Sequence, residues 1–129
     1  MNDALTAAII GEQAALYAYG VAGPHLADAD RDMALGGLAA HRARILILRE
    51  RADDVTEPGA AGGYLTGPVE TPEQARALLA GAEARLAATY ADLAGASSGA
   101  DRTEAVLTAC ECSARAIGWG GPPEAFPGR

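Results

Sequence analysis

The sequence predicts an all-α protein: a four-helix bundle built from two antiparallel helical hairpins joined by a long crossover loop. Three observations carry that expectation. Half of the 129 residues are apolar but only 5% are aromatic, and 32 are alanine. A core of small side chains must pack closely, and alanine is the best helix former and a poor strand former. Apolar residues recur at spacings of three and four in four separate segments. Between the second and third of these lies a stretch rich in glycine and proline, residues that punctuate helices. The length suits one domain with one core.

The first segment, about 3–26, repeats Leu5, Ala8, Ile9, Leu16 and Tyr19 on one face, and Gly20, Gly23 and Pro24 weaken its last turns. The second, about 30–54, has Leu35, Leu38, Ile45 and Leu48 as its apolar stripe, with Arg42, Arg49 and Glu50 on the flanks. The loop over 55–70 carries Pro58, Gly59, Gly62, Gly63, Gly67 and Pro68. Thr71-Pro72-Glu73-Gln74 then reads as an N-cap, a proline at the first helical position and a glutamine three residues on, which starts a third helix over 71–95. After Ser97-Ser98-Gly99 a fourth helix covers 101–118, stopped by Gly120-Gly121-Pro122-Pro123, and 119–129 forms an extended tail. Connections of roughly 3, 16 and 5 residues make antiparallel neighbours of the first and last pairs. About 16 residues reach about 50 Å when extended, more than the length of a 24-residue helix, so the middle connection can run the full height of the bundle. An up-down-up-down bundle needs no such loop.

Charge and motifs exclude several functions. The net charge of −7 argues against a nucleic-acid partner, which demands clustered positive charge. No apolar run approaches the roughly 20 residues that cross a bilayer, so no membrane partner is expected. The first ten residues contain Asp3 and no basic residue, unlike a signal peptide, and a cytoplasmic chain is the expectation. Cys110 and Cys112 point about 160° apart on a helix, too divergent for a mutual disulfide and a weak metal signal. No Ser/His/Asp set at motif spacing, phosphate loop or dinucleotide fingerprint supports an enzyme.

Ionisable residues interrupt the apolar stripes. At 100° per residue, Glu12 falls between Ile9 and Tyr19, and His41 lies three after Leu38 and four before Ile45. Glu83 follows Leu79 by four and precedes Leu86 by three; Glu111 follows Leu107 by four and precedes Ala114 by three. With the crossover topology all four lie roughly 16 to 21 Å from their hairpin turns, near mid-height. Three carboxylates and an imidazole suit a divalent transition metal. Carboxylates held close in a low-dielectric core repel, so without a cation at least one of them is expected to be protonated near neutrality, whereas a bound metal would require them deprotonated. The competing reading is a satisfied polar network, with Glu12 bonded to His41 and Glu111 paired with Arg115. Arg42, Arg44 and Arg85 are further counter-ions, and His25 is read as a surface residue.

The stretch Glu12-Gln13-Ala14-Ala15-Leu16-Tyr17-Ala18-Tyr19-Gly20-Val21, followed by Leu38-Ala39-Ala40-His41-Arg42-Ala43-Arg44 and closed by Phe126-Pro127-Gly128, resembles the actinobacterial ferritin-like family of unknown function of DUF4439 type. The resemblance covers nearly the whole chain and implies a ferritin-like bundle. By it, Glu12, His41, Glu83 and Glu111 match the glutamate, histidine, glutamate and glutamate contributed by helices one to four. The second-helix glutamate and fourth-helix histidine of the Glu-x-x-His pairs are missing: Leu38 precedes His41 by three and Ala114 follows Glu111 by three. Two functions stand from the sequence. One is a non-enzymatic structural or binding module, alone or as a homodimer. The other is a metal-binding protein using Glu12, His41, Glu83 and Glu111 with iron, manganese or zinc, with oxidase activity as its extension. A carrier with Tyr17, Tyr19, Tyr90 and Trp119 as liners is a third and weaker reading.

Overall fold

The computed structural model describes residues 3–52 and 67–123. Among these there are four α-helices and no strand: α1 Asp3–Ala22, α2 Asp28–Arg51, α3 Pro72–Gly95 and α4 Gly99–Gly118, with a single 3-10 turn at Gly23–His25. They pack as a four-helix bundle.

Local chemistry sets the ends. The first helix stops at Ala22, short of the Leu26 expected from periodicity, because Pro24 has no N–H for an i−4 bond. The chain tightens there into the 3-10 turn, closed by Leu26 N–H donating to Gly23 O at 3.1 Å. Thr71 caps α3 reciprocally: its Oγ1 accepts from Gln74 N at 3.1 Å, and Gln74 Oε1 accepts from Thr71 N at 3.2 Å. The fourth helix ends in a Schellman motif, with Gly121 N donating to Ala116 O at 2.8 Å and Gly120 N to Ile117 O at 2.9 Å. Gly120 takes φ of +103°, a conformation that favours glycine.

Close backbone packing joins α2 to α1, α1 to α3 and α3 to α4. Arg76 near the start of α3 pairs with Asp30 near the start of α2 at 2.6 Å, so these two helices run parallel. At the other end Arg51 reaches Asp101 at 3.6 Å, so α4 runs antiparallel to α2. The chain thus leaves α2 at one end of the bundle and enters α3 at the other. The crossover expected over 55–70 lies, apart from 67–70, outside the described residues.

The core is alanine-rich, with Ile9, Leu48, Leu79, Leu86 and Leu93 as its large aliphatic members. Full burial of each contributes roughly 1.5–3 kcal/mol. One apolar cluster gathers around Ile9, Leu86, Tyr90 and Leu93, another around Tyr19, Leu26, Leu79 and Trp119. Three residues expected in the core stripes are exposed: Leu35 on α2, and Leu107 and Ala114 on α4, Leu107 being 59% exposed. Ala34 and Gly37 on α2 and Ala105, Thr108, Ala109 and Cys112 on α4 face inward instead. Small residues carry these faces, so the large apolar residues mislead about the helix phase.

Candidate functional site

The residues between the two apolar clusters are polar. Glu12 on α1 and Glu83 on α3 are fully buried, and His41 on α2 is 2% exposed. His41 bridges them, with Nδ1 2.5 Å from Glu12 Oε1 and Nε2 2.8 Å from Glu83 Oε2. Only the doubly protonated imidazolium donates from both nitrogens. Burial by itself would lower the pKa of His41, but the hydrogen bonds and negative charges of Glu12 and Glu83 outweigh it and push it up to about 9. A proton on His41 is therefore the cation between the two carboxylates.

Aromatic residues complete the network. Tyr90 donates to Glu12 Oε2, and Tyr19 donates to Glu83 Oε2 at 2.6 Å. Trp119 Nε1–H donates in turn to Tyr19 Oη at 3.0 Å. Burial, reinforced by the neighbouring carboxylate, pushes both phenol pKa values up, so each hydroxyl stays a donor. The close approach that seats Tyr19 depends on Gly37: a Cβ there would lie 2.5 Å from the phenol oxygen.

The predicted site is brought together in part. Glu12, His41 and Glu83 converge, but Glu111 does not join them. Its side chain is 57% exposed, with Oε2 4.0 Å from Arg115 Nη2. The buried position on α4 belongs to its neighbour Cys112, about 100° around the helix. Burial raises the Cys112 thiol pKa, as do the charges of Glu83 and Glu12, so it stays protonated. Cys110 is exposed. His25 is half-buried at the 3-10 turn, outside the His41 network. The sequence reading missed the structural roles of Tyr90 and Trp119. Tyr90 lies two turns after Glu83 on the same face of α3, a spacing that signals its place; nothing local signals Trp119.

The resemblance to ferritin-like bundles expected from the sequence implies a metal centre, and the donor chemistry tests that implication. A ligating imidazole must offer a lone pair, but both nitrogens of His41 are turned to carboxylate oxygens at hydrogen-bonding distance. Both oxygens of Glu12 are engaged, and Glu83 Oε2 accepts two bonds. Glu83 Oε1 is buried without a hydrogen-bond partner, and the Arg115 guanidinium, 4.0 Å away, already supplies positive charge. So arranged, these residues do not fit a metal ion. Among the described residues no group of three or more His, Cys, Asp or Glu is disposed to hold one.

Two cavities flank the network. One of about 200 Å³ lies between α2 and α4, and its walls include Glu12, His41, Thr108, Glu111, Cys112 and Arg115. The other, about 520 Å³, lies between α3 and the end of α4, beside Trp119 and Arg76. The guanidinium of Arg76 sits 5.5 Å from the centre of the Trp119 ring, a cation–π contact. Among the described residues no helix is long and apolar enough to cross a membrane.

Fold and site define the class: an all-helical bundle whose core is divided by a buried carboxylate–imidazole–carboxylate network. The chain belongs to the family described as Domain of unknown function (DUF4439), whose model matches residues 4–129. It is similar to the crystal structure of a conserved hypothetical protein, rv2844, from Mycobacterium tuberculosis. That likeness has 27% sequence identity and a TM-score of 0.85, and covers 92% of each chain. No curated protein matches the chain.

Proposed function

We propose that this protein is a cytoplasmic, non-enzymatic ferritin-like binding module in which a protonated histidine takes the central place that a metal holds in catalytic bundles. The observation that carries this reading is the seat of His41, with each ring nitrogen hydrogen-bonded to a different buried carboxylate. The network ties α1, α2 and α3 together at mid-height, and the cavity between α2 and α4 leads to it. The net charge of −7 supports a function without nucleic acid.

Thermal melts with Fe(II), Mn(II) or Zn(II), each against chelator, test the reading. A metal that binds only the folded state stabilises it by RT ln(1 + [L]/Kd), about 2.7 kcal/mol at a hundredfold excess over Kd. The expected result is no shift in the midpoint with any of the three. A concentration-dependent rise that is lost in Glu12→Gln overturns the proposal in favour of a metal centre at Glu12, His41 and Glu83, with Glu111 at its rim.

A further inference from the structure

The cavity between α2 and α4 has three kinds of wall. Ala40, Ala43 and Ile47 of α2 form an apolar side, buried Thr108 and Cys112 of α4 line the opposite side, and charged groups complete it: Arg115 and Glu111 of α4, Arg44 of α2, and Glu12 and His41 of the network. Arg115 is only 26% exposed and lies between two carboxylates, with Nη1 4.0 Å from Glu83 Oε1 and Nη2 4.0 Å from Glu111 Oε2. Both distances exceed hydrogen-bonding range. Among the described residues its guanidinium makes no hydrogen bond, unlike Arg44, which is tied to Glu104 at 2.5 Å, and Arg76, tied to Asp30 at 2.6 Å. A half-buried planar fork of five donors, electrostatically anchored but not hydrogen-bonded, is suited to a bidentate acceptor such as a carboxylate. Glu83 Oε1, fully buried and without a hydrogen-bond partner, stands behind it.

Charge narrows the class. The positive charge of Arg44 is paired with Glu104 and that of His41 with Glu12 and Glu83, so a simple anion at Arg115 still meets the negative charge of Glu83 and Glu111 on either side. A ligand that carries its own ammonium group avoids that cost by placing it against Glu111, which is 57% exposed and retains acceptor capacity. The volume of about 200 Å³ equals that of about seven waters at ~30 Å³ each, which limits the ligand to a small molecule. We infer that this cavity binds a small zwitterion, an α-amino acid with a short aliphatic side chain, its carboxylate on Arg115, its ammonium on Glu111 and its side chain against Ala43 and Ile47. The inference rests on the binding-module reading and names the ligand class of the same site.

Isothermal titration with L-valine, isovalerate and isobutylamine, in the presence of chelator, tests the assignment. Valine is expected to bind at least tenfold more tightly than either single-charge analogue, and Arg115→Gln to weaken it at least tenfold. Glu111→Gln should weaken valine but not isovalerate. If Arg115→Gln melts early, Ile47→Trp, which fills the cavity from its partly exposed rim, takes its place and should block valine. Equal binding of all three compounds, no binding of any, or valine binding unchanged in these variants overturns the zwitterion site. Because chelator is present throughout, that failure is separate from a metal-dependent shift in the melts, which overturns the parent reading.

Discussion

Raising the pH from 6 to 8.5 should destabilise the protein through His41. Its pKa rises from 6.5 in the unfolded chain to about 9 in the fold, so the folded state holds a proton that the unfolded chain releases first. A raised value of this kind gives stability that is fully present below 6.5 and is lost as the pH climbs through 9. At ~1.4 kcal/mol per pH unit, the whole contribution is about 3 kcal/mol, of which about 2 kcal/mol disappears between pH 6 and 8.5. His41 is 2% exposed, so little of this is screened by solvent. The phenols of Tyr19 and Tyr90 and the thiol of Cys112 also have raised values. They lower stability further only as their unfolded counterparts ionise, largely above pH 8.5. Urea unfolding followed by the fluorescence of the single tryptophan, Trp119, measures the change, in a His25→Gln background so that His41 is the remaining imidazole. A flat or rising stability over this range, or an unchanged slope in His41→Gln, refutes a proton shared between Glu12 and Glu83.

Glu12→Gln removes one of the two charges that hold the His41 proton and should cost about 3 kcal/mol at pH 6, as expected for breaking a buried ion pair, with a shallower pH dependence; urea midpoints measure both effects. Gly37→Ala puts a Cβ against the Tyr19 ring and should lower stability by about 1–3 kcal/mol despite the better helix propensity of alanine, read from the thermal midpoint. Thr71→Ala removes the side-chain acceptor for Gln74 N and should cost about 1 kcal/mol by the same measurement, with the His41 titration unchanged in NMR.

The helices were legible because their signals are local. Alanine content, three-and-four periodicity, the Thr71–Gln74 capping box and the Gly120-Gly121 stop depend on residues within a turn or two of one another. Glu12, His41 and Glu83 were legible for a related reason: each interrupts an apolar stripe marked by large residues on both sides, such as Leu79 and Leu86 around Glu83. That logic failed on α4. Its inner face is made of Ala105, Thr108, Ala109 and Cys112, while its leucine, Leu107, faces solvent, so the phase taken from Leu107 placed Glu111 inside. Only packing against α3 decides which side of such a helix is buried. Sequence also left open what cation separates the carboxylates, because local spacing does not show where an imidazole ring lies between two other helices. The tertiary structure places His41 within hydrogen-bonding distance of both Glu12 and Glu83, and sends a phenol to each. The composition determined a closely packed helical bundle; the meeting of three helices at His41 decided that an imidazole separates its two buried carboxylates.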